Sequence, residues 1–207
     1  KKTEKARKKK LWEPKVKELV NHPILSGKLG NYLVIDIGGG YGIFAETIMK
    51  ENPKKTIVIE PNKKLADICR RKGIDVIEKF FNNIEVSEIP KTSKIFTSFE
   101  LLEHLHDPRE FLIKIKSLMM KGDILYMSTL TSSGIDIKEL GEKSKSITPP
   151  HHINFLSVKG MHEFLKKEGF DKVQISTPGK LDLDILKKNK SFLKKGFLLD
   201  VINNFSS

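Results

Sequence analysis

Val34-Ile35-Asp36-Ile37-Gly38-Gly39-Gly40-Tyr41-Gly42 is an apolar, β-branched run carrying one carboxylate that ends in four glycines within five positions. A helical pattern follows at once, with Phe44, Ala45 and Ile48. A tight strand-to-helix turn accounts for one or two glycines; four also let a ligand lie against the backbone. A P-loop needs a Lys-Ser/Thr pair after the glycines, and Phe44, Ala45 and Glu46 stand there instead. The dinucleotide fingerprint G-x-G-x-x-G/A fails at Ile43 when started from Gly38, which disfavours a nicotinamide oxidoreductase. The spacing that fits is D-x-G-x-G-x-G, on Asp36, Gly38, Gly40 and Gly42. Glu60 lies twenty residues past Gly40, at the predicted tip of the next strand, where a carboxylate can accept both hydroxyls of a ribose.

Outward from this junction the chain alternates short β-rich runs with amphipathic helices. Strands are predicted at 32–37, 56–60, 75–80, 93–99, 123–129 and 170–177. The intervening helices have defined ends. Asn62 and Ser157 are N-caps, Pro108 opens a helix, and Gly73, Gly122 and Gly169 close three of them. This order predicts an α/β fold with a doubly wound, mostly parallel sheet covered on both faces, whose ligand sits at the C-terminal ends of the strands. Residues 1–28 read as a basic helical lead-in with the apolar stripe Leu11, Trp12, Val16, Leu19 and Val20, ended by Pro23. Residues 29–178 form the central domain, and 179–207 read as a helical extension with Phe192, Phe197 and Phe205 on one face.

Composition narrows the class further. The 207 residues are 38% hydrophobic and include twelve Phe, enough for a core. There is no run of about 20 apolar residues, and the charged start Lys1–Lys10 leads to the expectation of no secretory signal. One cysteine, Cys69, excludes an internal disulfide and a cysteine-cluster zinc site, and predicts a reducing, cytoplasmic setting. The net charge of +12 comes from 38 Lys and Arg, of which only Arg7, Arg70, Arg71 and Arg109 are Arg. Arg is the usual bidentate reader of phosphate and guanine, so a Lys excess spread along the chain argues against a nucleic-acid surface.

These motifs resemble class I S-adenosylmethionine-dependent methyltransferases, over about residues 30–178. Asp36-Ile-Gly-Gly-Gly-Tyr-Gly42 is similar to the first motif of that family and Ile59-Glu60-Pro61-Asn62 to the second. Phe99-Glu100-Leu-Leu-Glu103-His104-Leu-His106-Asp107-Pro108 and Pro149-Pro150-His151-His152-Ile-Asn154-Phe155 resemble a branch acting on small molecules, quinones and sugars. Thr177-Pro178-Gly179-Lys180-Leu-Asp-Leu-Asp184 resembles members linked with surface polysaccharide. The resemblance implies a Rossmann-like sheet of seven strands. Only six are predicted here, so the final antiparallel strand is expected to be missing from this chain.

The resemblance also implies roles for single residues. Gly38, Gly40 and Gly42, with Gly39 among them, back the methionine part of S-adenosylmethionine, and Asp36 orders their loop. Glu60 takes the ribose hydroxyls, with Pro61 and Asn62 beside it. Phe81 and Asn82 border the adenine, and Phe99 and Glu100 lie beneath the cofactor. The acid the family usually carries after the third strand is replaced by Phe80-Phe81-Asn82-Asn83, which leaves an amide for that contact. Such a cofactor carries a sulfonium and no phosphate, so carboxylates and close backbone suit it better than Lys. Methyl transfer is an in-line displacement in which the protein aligns, excludes water and sometimes provides a base; no metal is expected.

His104, His151 and His152 are the candidate bases, and the acceptor pocket is expected between the strand-four tip and the loop 148–155. The N-terminal helix, with Trp12, Glu13 and Pro14, is expected to cover the cofactor as a lid. The expected activity is methyl transfer to a small molecule, such as a sugar or polysaccharide precursor. An RNA or protein methyltransferase using the Lys-rich surface, or a non-catalytic module that only binds the cofactor, are the alternatives.

Overall fold

The structure is a computed structural model and describes residues 2–144 and 146–177. Its contacts divide the chain into two units, one of residues 1–102 and 109–128, the other of residues 103–108 and those from 129 on.

The first unit is built on five parallel strands: β1 Leu33–Ile37, β2 Lys55–Ile59, β3 Asp75–Ile77, β4 Lys94–Phe99 and β5 Ile124–Ser128. Their order is β3-β2-β1-β4-β5. In register, Asp36 lies opposite Val58 on one side and Thr97 on the other. Every residue of β1 and of β4 is buried; β1 accordingly reads as a near-continuous apolar run, while β4 buries Lys94, Thr97 and Ser98 among its apolar residues. The strand order reverses between β1 and β4, so the chain leaves their C-terminal ends in opposite directions and opens a crevice there.

The N-terminal segment comprises α1 (Lys2–Arg7), a π-helical turn at Lys8–Trp12 and α2 (Glu13–Val20). The wide turn has a local cause. Pro14 lacks an N–H, and its ring would collide with the carbonyl four residues back in a straight α-helix. The Glu13 N–H instead donates to the Lys8 carbonyl, five residues back. The predicted stripe docks as expected: Val16 and Leu19 join Leu25, Val34, Phe44, Ile48, Ile95 and Phe99 in one buried cluster, with Trp12 and Tyr126 packed against it.

Three further helices lie in this unit. They are α3 (Ile43–Ile48), α4 (Lys63–Arg71) and α5 (Pro108–Leu118), which begins one residue before the unit's second segment. Asn62 caps α4 as predicted, its side-chain oxygen accepting from the N–H groups of Lys64 and Leu65. The second unit holds α6 (Ile135–Leu140) and α7 (Val158–Lys167), the latter capped by Ser157, whose hydroxyl accepts from the Gly160 N–H.

Two sequence expectations change. The third strand ends at Ile77 rather than residue 80, because the chain turns into a short helical segment at Phe81–Asn83. The sixth predicted strand, 170–177, pairs with nothing in the sheet and carries bends and irregular backbone. Its β-branched Val173 and Ile175 alternate with polar residues, but no neighbour makes the segment a strand. The expected extension 179–207, and with it the question of a last strand, lies outside the described residues. No helix among the described residues is long and apolar enough to cross a membrane.

Candidate active site

A cavity of about 170 Å³ sits at the β1 and β4 ends. The glycine loop (Gly38, Gly39, Gly40), Phe99 and Glu100 line it, together with Arg7 and Trp12 from the N-terminal segment. Gly40 has φ +56°, and a Cβ built on it meets no atom within 4 Å, so its side-chain direction is open space. Gly42 differs. Its φ is +65°, and a Cβ there would come within 2.8 Å of Cys69 Sγ and 2.9 Å of Ile74 Cδ1. This glycine lets the loop pack on α4 and is not among the cavity-lining residues.

Two carboxylates organise the loop. Glu60, 6% exposed, accepts the Gly40 N–H on Oε2 and the Asn62 N–H on Oε1, each at 2.9 Å. Each carboxylate oxygen has two acceptor sites, so Glu60 keeps capacity for two further donors while holding the loop in place. Asp36 is buried and accepts the Thr97 hydroxyl at 2.8 Å. Cys69 supports the loop from below, its thiol donating to the Gly40 carbonyl at 3.3 Å. Burial pushes that thiol up to about 11, so it stays protonated.

Burial also pushes Asp36 from 3.8 up to about 7; the Thr97 hydrogen bond pulls the other way, and the nearby Glu60 charge adds to the rise. The fold therefore binds the Asp36 proton more tightly than the unfolded chain does, and stability falls as pH rises from about 4 to about 7. Asp36→Asn has no such proton to lose. Thermal unfolding over this range should show the variant gaining on the wild type by an amount on the order of a few kcal/mol, with a constant difference above pH 7. Parallel pH profiles for the two proteins would contradict the assignment.

The predicted cofactor residues fall into two groups. Asp36, Gly38, Gly39, Gly40, Phe99 and Glu100 line the cavity, and Glu60 is tied to it through Gly40. Pro61 and Asn62 are exposed, and the Asn62 side chain is engaged as the α4 cap. Phe81 is buried edge-on against Phe111 with ring centres 5.3 Å apart, and Asn82 is exposed. Of the expected lid residues Trp12 lines the cavity, while Glu13 and Pro14 are exposed. Sequence reasoning missed Arg7, Thr97 and the Cys69 support. Only Thr97 left a signal, as a polar residue in a buried strand opposite Asp36.

In the second unit the strand-four tip and the histidine loop meet. His104 Nδ1 lies 2.8 Å from the His151 carbonyl, and His152 Nδ1 lies 2.7 Å from the Ser146 carbonyl. A carbonyl only accepts, so both Nδ1 atoms carry a hydrogen, and in the neutral form of each ring the lone pair lies on Nε2. The two rings stand edge to face at 4.7 Å. The His151 side chain is exposed, and that residue contributes its backbone to the cluster. Glu103 is buried; its carboxylate accepts the Thr129 hydroxyl at 2.8 Å, and its carbonyl accepts the N–H groups of Ile153 and Asn154. Glu103 thus ties the tip to the loop.

A five-stranded parallel sheet with a glycine loop pinned to the carboxylate of the adjacent strand is the arrangement of the class I methyltransferase fold. A family model described as "Methyltransferase domain" matches residues 6–175, and the chain belongs to that family. It is 25% identical over 138 residues to a mitochondrial ubiquinone biosynthesis O-methyltransferase of Schizosaccharomyces pombe, covering 64% of this chain and 48% of that protein. It is 24% identical over 152 residues to a tRNA U34 carboxymethyltransferase of Vibrio campbellii, covering 71% of this chain and 47% of that one. Among solved structures, magnesium protoporphyrin IX methyltransferase from Synechocystis with bound SAH shares the fold, with a TM-score of 0.60, 14% identity, and 80% and 77% of the two chains covered. The chain spans about half the length of the curated relatives it matches.

The residues fit S-adenosylmethionine. The Gly40 side opens into the cavity, Glu60 retains acceptor capacity, and the Trp12 indole N–H is buried without a partner.

Proposed function

We propose that this protein transfers the methyl group of S-adenosylmethionine to a small-molecule acceptor. The observation that carries this reading is the glycine loop, held open at Gly40 and pinned by Glu60. Bound S-adenosylmethionine supplies an electrophilic methyl on a sulfonium. The loop backbone and Glu60 hold its adenosine and methionine parts, and Phe99 and Phe44 give the cavity an apolar wall that excludes water. The proton that the acceptor gives up on methylation would pass to a base supplied by this chain. Nε2 of His104 or of His152 fills that role, because each ring is held in the tautomer that leaves Nε2 free to take a proton.

The name of the Schizosaccharomyces pombe relative supports O-methylation of a small molecule. A sugar or polysaccharide precursor is the finer reading, supported by the resemblance of residues 149–155; the 177–184 part of that resemblance lies almost wholly outside the described residues. The work is proposed to occur in a reducing, cytoplasmic compartment, in keeping with the single buried thiol.

Turnover should be measured as SAH release over a panel of phenols, nucleotide sugars and tRNA. With the best acceptor, His104→Ala and His152→Ala should each lower turnover about a hundredfold. His151→Ala should cost less, since its contact with His104 is made by the backbone. Wild-type turnover in both of the first two variants removes the base and leaves alignment alone. Binding of SAH with no turnover over the whole panel favours a non-catalytic module. The tRNA-modifying relative favours RNA as a second reading. Submicromolar tRNA binding that survives physiological salt would promote it.

A further inference from the structure

Between Gly134 and His152 the chain carries three side-chain hydroxyls, on Ser144, Ser146 and Thr148, and Asp136 gathers two of them. Asp136 stands in the first turn of α6, and its Oδ2 accepts the hydroxyls of Ser144 and Ser146, each at 2.6 Å. Burial pushes its carboxyl up, but these two bonds and the N–H groups of Ile137 and of Asp136 itself outweigh that and hold it below the usual carboxylate range. The group is therefore ionised at neutral pH and only accepts, so both serine hydroxyls direct their hydrogens to it. The Ser144 oxygen keeps its lone pairs and accepts the Ser146 N–H at 3.1 Å. Ser144 is buried, so water does not compete for this link. The carboxylate itself is closely fitted: a Cβ built on Gly134 would come within 2.8 Å of Asp136 Oδ1 and 3.3 Å of the Thr131 carbonyl.

Ser146 is thus held at its N–H and at its hydroxyl, and its carbonyl faces the His152 ring, 2.7 Å from Nδ1. A second group competes for the same nitrogen. The Thr148 hydroxyl lies 3.0 Å from Nδ1, and a hydroxyl can donate as well as accept. The two neighbours favour opposite tautomers. A carbonyl requires hydrogen on Nδ1 and leaves the lone pair of the neutral ring on Nε2. A hydroxyl that donates to Nδ1 puts the hydrogen on Nε2, which can then take up no proton. Where the Ser146 carbonyl stands therefore decides whether Nε2 can serve as a base.

We propose that Asp136 is the positioning residue for this base: through Ser146 it fixes His152 in the tautomer whose Nε2 receives the proton of the acceptor. Asp136 acts through the loop backbone and not on the acceptor. The inference rests on the reading of His152 as a base.

NMR of the full chain with isotope-labelled histidine tests this without any acceptor, the His152 signals being assigned by their loss in His152→Gln. At a pH where the ring is neutral, the wild type should show the Nδ1–H tautomer alone. Asp136→Ala should show both tautomers. Ser146→Ala, which keeps the carbonyl and loses one hydroxyl, should shift the balance the same way to a smaller extent, and it carries the test if Asp136→Ala does not fold. Gly134→Ala, which crowds the carboxylate, should resemble Asp136→Ala. His104, whose Nδ1 faces the His151 carbonyl of the same loop, should keep its tautomer throughout. With the best acceptor, Asp136→Ala should lower kcat about tenfold, while the acceptor KM and the SAH affinity stay within about twofold. A wild-type His152 with its hydrogen on Nε2, or a tautomer unchanged in the variants, overturns the inference whatever the activity. So does a mixed tautomer with unchanged kcat. If His104 changes together with His152, Asp136 merely holds the loop together and the positioning role is wrong. A wild type with the expected tautomer that binds SAH and methylates no acceptor overturns the base reading itself, and the inference falls with it.

Discussion

Asp123→Ala should destabilise the protein by about 3–5 kcal/mol, read as a lowered midpoint in urea unfolding. Asp123 and Lys94 form an ion pair at 2.9 Å, with side chains only 1% and 2% exposed. The carboxylate also accepts the Lys94 N–H and the Met120 N–H, each at 2.8 Å, while the Lys94 ammonium donates to the Thr92 carbonyl. Deleting the carboxylate leaves a buried ammonium and two backbone donors without their acceptor. The cost is therefore the desolvation of what remains, rather than the worth of the pair. Lys94→Met combined with Asp123→Leu removes both charges and should recover a large part of the loss. The pair lies where β4 begins, at the end of the sheet away from Phe99 and the cavity. SAH affinity should accordingly be unchanged in any variant that still folds. An Asp123→Ala protein as stable as the wild type would show that the pair contributes nothing.

Gly40→Val should lower SAH affinity by about a hundredfold or more, measured by calorimetry. A side chain at Gly40 meets no protein atom and points into the space the loop leaves open, so it would stand where the loop backbone should meet the ligand. The same change also strains the backbone, since φ is +56°. Gly73→Val is the matched control. Its φ is +76°, it too has open space at the Cβ, and it lies at the end of α4, outside the cavity lining. Both variants should lose comparable stability, on the order of 1–2 kcal/mol. Only Gly40→Val should lose ligand. Retained affinity in Gly40→Val would mean that the ligand does not lie against the loop.

The site was only partly readable before folding. Asp36 and Glu60 were identifiable because each stands at a strand end beside a turn, a position set by local pattern. Thr97 and Cys69 were not, because their partners are 61 and 29 residues away in sequence and meet them only through strand pairing and helix packing. Gly42 shows the limit of motif spacing. It belongs to the same glycine run as Gly40, yet packing turns its α-carbon toward Cys69 and Ile74. Asn62 stood beside Glu60 as a cofactor candidate and as a helix cap, and the described geometry commits its side chain to the cap.

The sequence by itself determined what depends on neighbours along the chain. The period-two and period-3.6 patterns set five of the strands and the main helices, Asn62 and Ser157 set two helix starts, and the glycine spacing set the kind of loop. The tertiary structure alone decided the rest. Strand order brought Thr97 opposite Asp36, and burial with Glu60 nearby raised the Asp36 carboxyl to about 7. Docking of the first twenty residues put Arg7 at the cavity beside Trp12, where the sequence pointed only to Trp12, Glu13 and Pro14 as a lid. Residues 170–177 carry a strand-like pattern yet pair with no strand of the sheet, because a strand exists only where a neighbour accepts its hydrogen bonds. Charge, burial and hydrogen-bond partners are properties of places in space, and the sequence specifies them only through the fold.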